Sequence, residues 1–382
     1  MTGPSTNVAL NNASTSSVPL QSPIATTPAG GSQADDEIRR IAEQLSVCIK
    51  IVGCGGAGCN TINRCVAAGI TGAQFYALNT DAKHLLSIQV PVKVLIGKAT
   101  TRGLGAGAIP RVGEQAAMES AREIRDVLTG ANLVFVTAGM GGGTGTGSAQ
   151  YVAEISKKQM NALTIGVVTL PFRAEGNVRM ENALAGLNRL TAMCDTTIVI
   201  MNDKLLELVP RMPVEAAFKV ADEVLMQTIK GLTEIITRPG LVNLDYADIQ
   251  TIMDEGGMAF VGIGESDEPG ERVERAVKEA LSSPLLGNVD LKGSRGAMVR
   301  VIGGPDMTVD EAQRAAEIVT KSVSPGARII WGCTIEPELE RTIKVLLIVT
   351  GARSPQLLGK GMESKLDDIS IGSGGARKAA RT

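Results

Sequence analysis

The chain has 382 residues and a formal net charge of −2, long enough for two domains at roughly 100–200 residues each. That balance exerts no global pull on nucleic acid, and with aromatics at 2% base-stacking platforms are scarce, so no nucleic-acid partner is expected. No apolar run reaches the roughly 18 residues of a membrane span and no basic start leads into an apolar segment, so the expectation is a cytoplasmic protein without direct membrane insertion.

Residues 1–34 carry no charged side chain, are rich in Ser, Thr, Pro, Asn and Ala, and read as a disordered tail. Ile38, Ile41 and Leu45 then share one face of a short helix. From Val47 onward strand, glycine turn and helix alternate. Strands are expected over 47–52, 74–78, 92–96, 133–137, 163–170 and 197–201, and helices over 58–68, 112–128, 146–159 and 178–193. Such alternation builds an α/β fold, a parallel sheet with helices on both faces, here a Rossmann-like domain over 35–213. Pro213 opens a long central helix over 214–238, with Ala217, Val220, Ala221, Val224, Leu225, Thr228, Ile229 and Leu232 on one stripe. Arg238-Pro239-Gly240 stops it. Residues 239–351 read as a smaller α+β domain: strand, helix, about two strands, helix, and a closing hairpin of 329–332 with 344–349. The polar, glycine-rich stretch 352–382 reads as a flexible tail.

Six cysteines (Cys48, Cys54, Cys59, Cys65, Cys194 and Cys333) include no CxxC pair, and His84 is the single histidine. No protein-built metal site is expected, and the thiols read as small buried groups.

Glycine is concentrated in turns between strands and helices. Gly53-Cys54-Gly55-Gly56-Ala57-Gly58-Cys59-Asn60 contains a GxGxxG at Gly53, Gly55 and Gly58. Alone it reads as a dinucleotide-binding turn with Asp81 as the acidic ribose partner, so an NAD-binding oxidoreductase is one reading. Gly139-Met140-Gly141-Gly142-Gly143-Thr144-Gly145-Thr146-Gly147 is more specific. Backbone N–H groups there can converge into an anion nest at a helix start, with the Thr144 and Thr146 hydroxyls as further donors. The other reading is a flexible surface turn, but flexibility does not require glycine between a buried strand and a helix. No Gly-Lys-Ser/Thr follows, so neither cluster is a Walker A loop. With a third turn, Gly103-Leu104-Gly105-Ala106-Gly107, these loops suit a triphosphate at the carboxyl ends of the strands.

With GGGTGTG at 141–147, the chain resembles the tubulin/FtsZ family of GTPases. GCGGAGCN at 53–60, NTDA at 79–82, GLGAG at 103–107, PF-x-x-EG-x-x-RM at 171–180, NDKL at 202–205, RPGL at 238–241 and NLDYAD at 243–248 follow in family order over about 47–351. The match is to the FtsZ side rather than to tubulin, and IIWG at 329–332 is similar to archaeal members. The resemblance implies a GTPase domain joined by a long central helix to a smaller α+β domain. It implies a cytoskeletal protein that binds and hydrolyses GTP with Mg²⁺ and polymerises with itself head to tail, forming the division ring at mid-cell. It places phosphate contacts on Gly55, Gly56, Ala57, Gly58, Cys59, Asn60, Ala106, Gly107, Gly141, Gly142, Gly143, Thr144, Gly145, Thr146 and Gly147. Glu175 and Arg179 fall on ribose and base-side contacts, Asn202 and Asp222 on the pair that reads guanine, and Phe218 on a ring stacked against the base. A carboxylate accepts from the guanine N1–H and 2-amino group, an arrangement adenine lacks. On the residues alone, Glu175 and Arg179 read equally as a solvated pair at a helix start, Asp222 as an exposed helix residue and Phe218 as core. Ala57 and Cys59 stand where glycines are common, and Ile109 where an Asn is usual.

Asn243-Leu244-Asp245-Tyr246-Ala247-Asp248 opens a helix. Locally, Asn243 or Asp245 reads as its cap and Asp248 as a favourable first-turn charge. The resemblance implies instead that this segment enters the nucleotide pocket of a neighbouring copy. Asp245 and Asp248 would there orient or deprotonate the attacking water, with Asn243 assisting. A filament that binds GTP without hydrolysing it is a further reading. In the tail, 366–371 (LDDISI) is a docking patch for a membrane-anchoring adaptor, or simply part of a disordered terminus.

Overall fold

The computed structural model describes residues 47–352 except 209–212, 238–245, 255 and 288. The helix expected near 38–45, the helix stop at 238–240, both tails and the patch at 366–371 lie outside the described residues. So do Asn243 and Asp245.

The first half runs β1 (Ile49–Cys54), α1 (Gly55–Ala67), β2 (Ala73–Asn79), α2 (Ala82–Ser87), β3 (Val92–Leu95), the single turn α3 (Lys98–Thr101), α4 (Pro110–Glu119), α5 (Ala121–Leu128), β4 (Leu133–Gly139), α6 (Thr144–Gln159), β5 (Leu163–Leu170), α7 (Asn177–Met193), β6 (Thr196–Met201) and α8 (Asn202–Leu208). β4 and β5 are nearly continuous apolar runs, buried almost throughout, as strands covered on both faces must be. Successive side chains alternate between two cores. Val52, Val134 and Val136 join residues of α4 to α7 on one face, while Ile51, Leu133 and Phe135 join α1 on the other. The six strands are parallel in the order β3-β2-β1-β4-β5-β6. Strand order reverses between β1 and β4, which opens a crevice beyond their carboxyl ends. The single helix expected over 112–128 is divided at Ser120, whose hydroxyl accepts the Gly97 N–H at 3.0 Å.

Then follow α9 (Val214–Thr237), α10 (Tyr246–Met253), β7 (Gly257–Ser266), α11 (Arg272–Leu281), β8 (Gly296–Gly303), α12 (Val309–Ser322), β9 (Arg328–Ile335) and β10 (Ile343–Thr350). Between α11 and α12 there is one strand, β8, preceded by a 3₁₀ turn at Leu291–Gly293, instead of about two. β6 pairs in parallel with β7 from Thr196↔Gly257 to Ile198↔Ala259, so one ten-stranded sheet runs through both halves.

The expected closing hairpin does not form. β10 inserts between β7 and β8, antiparallel to both, and β9 pairs in parallel with β8 at the sheet edge. Burial explains the exchange. β10 is an apolar run buried at seven of its eight positions, which suits a central strand, whereas β9 is exposed at both ends and alternates between them. A hairpin would have left β10 with one neighbour and more of its apolar surface in water.

α9 fastens the halves together. Arg64 on α1 pairs with Asp222 at 3.2 Å, and Lys230 pairs with Glu336, beyond β9, at 2.8 Å. Glu234 pairs with Arg300 of β8, and both residues are 2% exposed.

Candidate functional site

α1 begins directly after β1, and α6 begins after the four-residue turn 140–143 that follows β4; these two strands flank the reversal of strand order. Neither helix has a side-chain cap or an acidic residue in its first turn. Their leading N–H groups have no intrahelical acceptor, and the two dipoles add, so the crevice attracts an anion.

The glycines divide into two kinds. Some let the loops touch. A Cβ on Gly55 (φ +71°) would lie 2.6 Å from the Gly145 nitrogen, one on Gly143 2.8 Å from the Ala106 Cβ, and one on Gly58 2.3 Å from the Thr137 oxygen. The three turns therefore form one continuous cradle. Others face open space: a Cβ on Gly56, Gly107 or Gly142 would meet nothing within 4 Å. These positions leave room for a ligand against bare backbone. Gly147 belongs to packing, because a Cβ there would sit 2.1 Å from the Pro110 oxygen of α4. Gly147→Ala is expected to cost about 1–3 kcal/mol or more by overpacking α6 on α4. Gly142→Ala should leave the unfolding midpoint unchanged and weaken nucleotide binding. Thermal unfolding with and without GTP separates the two.

Two residues expected to contact phosphate turn their side chains inward. The Thr146 hydroxyl accepts the Gly141 N–H at 2.8 Å and so closes the loop, and its full burial holds it back from the open face of the crevice. Cys59 points its thiol at the Gly53 and Leu78 oxygens, at 3.6 and 3.5 Å, and burial pushes that thiol far up. Only its backbone can face a ligand. Thr144 Oγ1 lies 2.6 Å from Thr80 Oγ1. Ile109 is 54% exposed at the rim beside Gly143.

Asn79 and Thr80, which sequence reasoning did not assign to the site, close the cradle from β2. Asn79 is buried, Thr80 reaches Thr144, and Thr80 O accepts the Gly105 N–H at 3.1 Å. Asp81 accepts the His84 N–H at 3.1 Å and so caps α2. That commits one oxygen of the carboxylate required by the dinucleotide reading. The available signal was an Asn-Thr-Asp run directly after an apolar strand, with the spacing of a helix cap.

Along the other side, Asn202 at the start of α8 is 5% exposed, and its Oδ1 has no hydrogen-bond partner among the described residues. A buried acceptor of this kind suits a site that a ligand donor fills. Glu175 accepts the Phe172 N–H at 2.8 Å and pairs with Arg179 at 3.1 Å. Arg179 O would lie 2.7 Å from a Cβ on Gly141, which puts this pair beside the cradle. Phe218 is 41% exposed, its ring edge-to-face with Phe172 at 5.0 Å. The Asp222 side chain is only 17% exposed. Burial pushes its carboxyl above the usual range, against the pull of Arg64. Nothing in the sequence marked Arg64 as its partner.

Asp248 is exposed in the first turn of α10. Tyr246 fixes this helix start by donating its hydroxyl to the Asn132 oxygen at 2.8 Å. Asn132 stands at the amino end of β4, and the cradle lies beyond its carboxyl end. Seven residues of strand at about 3.3 Å each separate the two by roughly 20 Å. The structure thus brings together the glycine turns, and places the acidic helix start at the opposite end of the sheet.

Two family models match the chain: the GTPase domain of the Tubulin/FtsZ family over residues 48–210 and the C-terminal domain of the FtsZ family over 257–353. Cell division protein FtsZ 1 of Pyrococcus abyssi is 55% identical over 323 residues, 85% of this chain and 86% of that protein. Its counterpart in Archaeoglobus fulgidus is 53% identical over 331 residues, 87% and 89% of the two chains. Among solved structures, an empty FtsZ dimer of M. jannaschii is similar at a TM-score of 0.79 and 52% identity, covering 84% of this chain and 92% of that one.

Proposed function

This chain belongs to the FtsZ family within the tubulin/FtsZ GTPases, and from that premise we propose that its GTP-hydrolysing site is completed only when a second copy docks head to tail. One observation carries the reading: cradle and acidic helix start lie at opposite ends of β4, roughly 20 Å apart. A copy's own Asp248 cannot reach its own phosphates, whereas a neighbour stacked along the sheet axis presents one to the other's cradle. A contact between unlike ends does not close on itself and continues as a filament.

In this mechanism the open-faced backbone at Gly56, Gly107 and Gly142 and the two helix starts hold the triphosphate. Asp222 and Asn202 accept from guanine, Phe218 covers the base, and Glu175 with Arg179 flanks the ribose. Among the described residues no three His, Cys, Asp or Glu side chains gather to hold a metal ion. A Mg²⁺ bound with the nucleotide would supply charge neutralisation at the β- and γ-phosphates. The incoming Asp248, with Asp245 and Asn243 of the same segment, orients a water and takes its proton as the oxygen attacks the γ-phosphorus. The bond to the β–γ bridging oxygen breaks, leaving GDP and phosphate.

GTPase activity per molecule should rise with protein concentration. Phosphate release measured across a dilution series tests this, and a flat profile would point to a self-sufficient monomer. Assembly into a mid-cell ring is a finer reading supported by the family resemblance; docking of a membrane-anchoring adaptor is assigned to residues 366–371 on their sequence alone, beyond the stretch that the resemblance covers. No helix among the described residues is long and apolar enough to cross a membrane.

A further inference from the structure

The single histidine stands between two side-chain amides, that of Asn60 in α1 and that of Asn79 at the end of β2. Its Nε2 lies 3.0 Å from Asn60 Oδ1, and its Nδ1 lies 3.2 Å from Asn79 Nδ2. The Asn79 amide has one sensible orientation, because its Oδ1 accepts the Thr80 N–H at 2.9 Å. Turning it over would set an NH₂ group against a backbone donor. The Asn79 NH₂ therefore donates to Nδ1, the ring proton sits on Nε2, and Nε2–H donates to Asn60 Oδ1. The acceptor atom of the exposed Asn60 amide is thereby occupied, and only its two N–H bonds remain for a ligand.

We propose that His84 is a positioning residue for nucleotide binding, holding the donor face of Asn60 toward an anionic oxygen of the bound nucleotide. The proposal rests on the functional reading above, in which Asn60 belongs to the first phosphate loop. The chemistry favours one orientation. An Asn that turned its oxygen to a phosphate would repel it, and an untethered amide samples both orientations. The bond chain then continues from Asn79 to Thr80, and from the Thr80 hydroxyl to Thr144, so one imidazole links the first loop to the second. Packing alone would require a ring-sized apolar side chain at residue 84. Positioning requires an acceptor on one side and a donor on the other.

The test uses the untagged full-length chain, in which one histidine gives one imidazole spectrum. Nitrogen-15 NMR should show a protonated Nε2 and an unprotonated Nδ1 in the nucleotide-free protein at neutral pH; a proton on Nδ1 would overturn the arrangement. His84→Leu should weaken GDP binding about tenfold, the worth of roughly one well-placed hydrogen bond, with turnover at saturating GTP little changed. His84→Gln, whose amide both donates and accepts, should recover most of the affinity. In an Asn60→Ala background, His84→Leu should add no further loss. The role is overturned if His84→Leu binds GDP like the natural chain, if His84→Gln loses as much as His84→Leu, or if the two losses add in the double variant. A natural chain that binds neither GDP nor GTP would overturn the functional reading itself, and this role with it.

Discussion

A chain carrying Asp248→Ala is expected to bind GTP and assemble as the natural chain does, while releasing phosphate about 10²–10⁴ times more slowly, the usual worth of a positioned acid–base group. Binding should survive because Asp248 sits at the far end of β4 from the cradle of its own copy. Folding should survive because the residue is exposed in a first helical turn, where losing its interaction with the helix dipole costs about 0.3–1 kcal/mol. A mixing experiment isolates the sharing of the site. Asp248→Ala offers an intact cradle and Gly142→Ala an intact acidic helix, so the mixture should hydrolyse GTP faster than either variant alone. Normal turnover by Asp248→Ala on its own would mean that the acid does not act.

Arg300→Met should destabilise the ligand-free protein by about 3–5 kcal/mol, because it strands the buried Glu234 charge without its cation. Urea unfolding measures the loss. The double change Glu234→Leu with Arg300→Met should recover most of it, since no charge then remains to be compensated. The pair is poorly optimised as it stands: Arg300 Nε is buried without an acceptor among the described residues. It joins α9 to β8 on the same helix that carries Asp222 three turns earlier. If Arg300→Met also shifted GTP affinity, the helix would be transmitting strain between the halves. Unchanged affinity would confine the pair to stability.

The first half of the fold was legible because its signals are local. β5 and α9 fall where periodicity put them, since an unbroken apolar run and a 3.6-residue stripe each have one comfortable environment. The topology of the second half was not. Nearness in sequence suggested that β9 and β10 pair, yet the last strand is the one with enough apolar surface to require neighbours on both sides. At the site, glycine spacing located the cradle, but only three-dimensional packing separates open positions such as Gly142 from helix contacts such as Gly147. Cys59 in α1 and Thr146 in α6 likewise turn their side chains out of the crevice, and the glycine spacing does not report which side of a helix start faces a ligand. The contacts of His84, Arg64 and Tyr246 were not legible because the partners Asn60, Asp222 and Asn132 lie 24, 158 and 114 residues away.

The place of β10 bears on how the protein is made. Strands β1 to β6 are complete once the ribosome has passed Met201, and they can fold as they emerge. The second half cannot do the same, because the strand lying between β7 and β8 is the last of the described strands to be synthesised. At about 5–20 residues per second, β7 waits from Ser266 and β8 from Gly303 until Ile343, several seconds with raw backbone edges, an invitation to wrong pairing. Arrival of β10 satisfies both edges at once. A message that ends before codon 343 would therefore leave a gap in the middle of the sheet, and quality control would meet a chain whose first half is finished and whose second half has never closed.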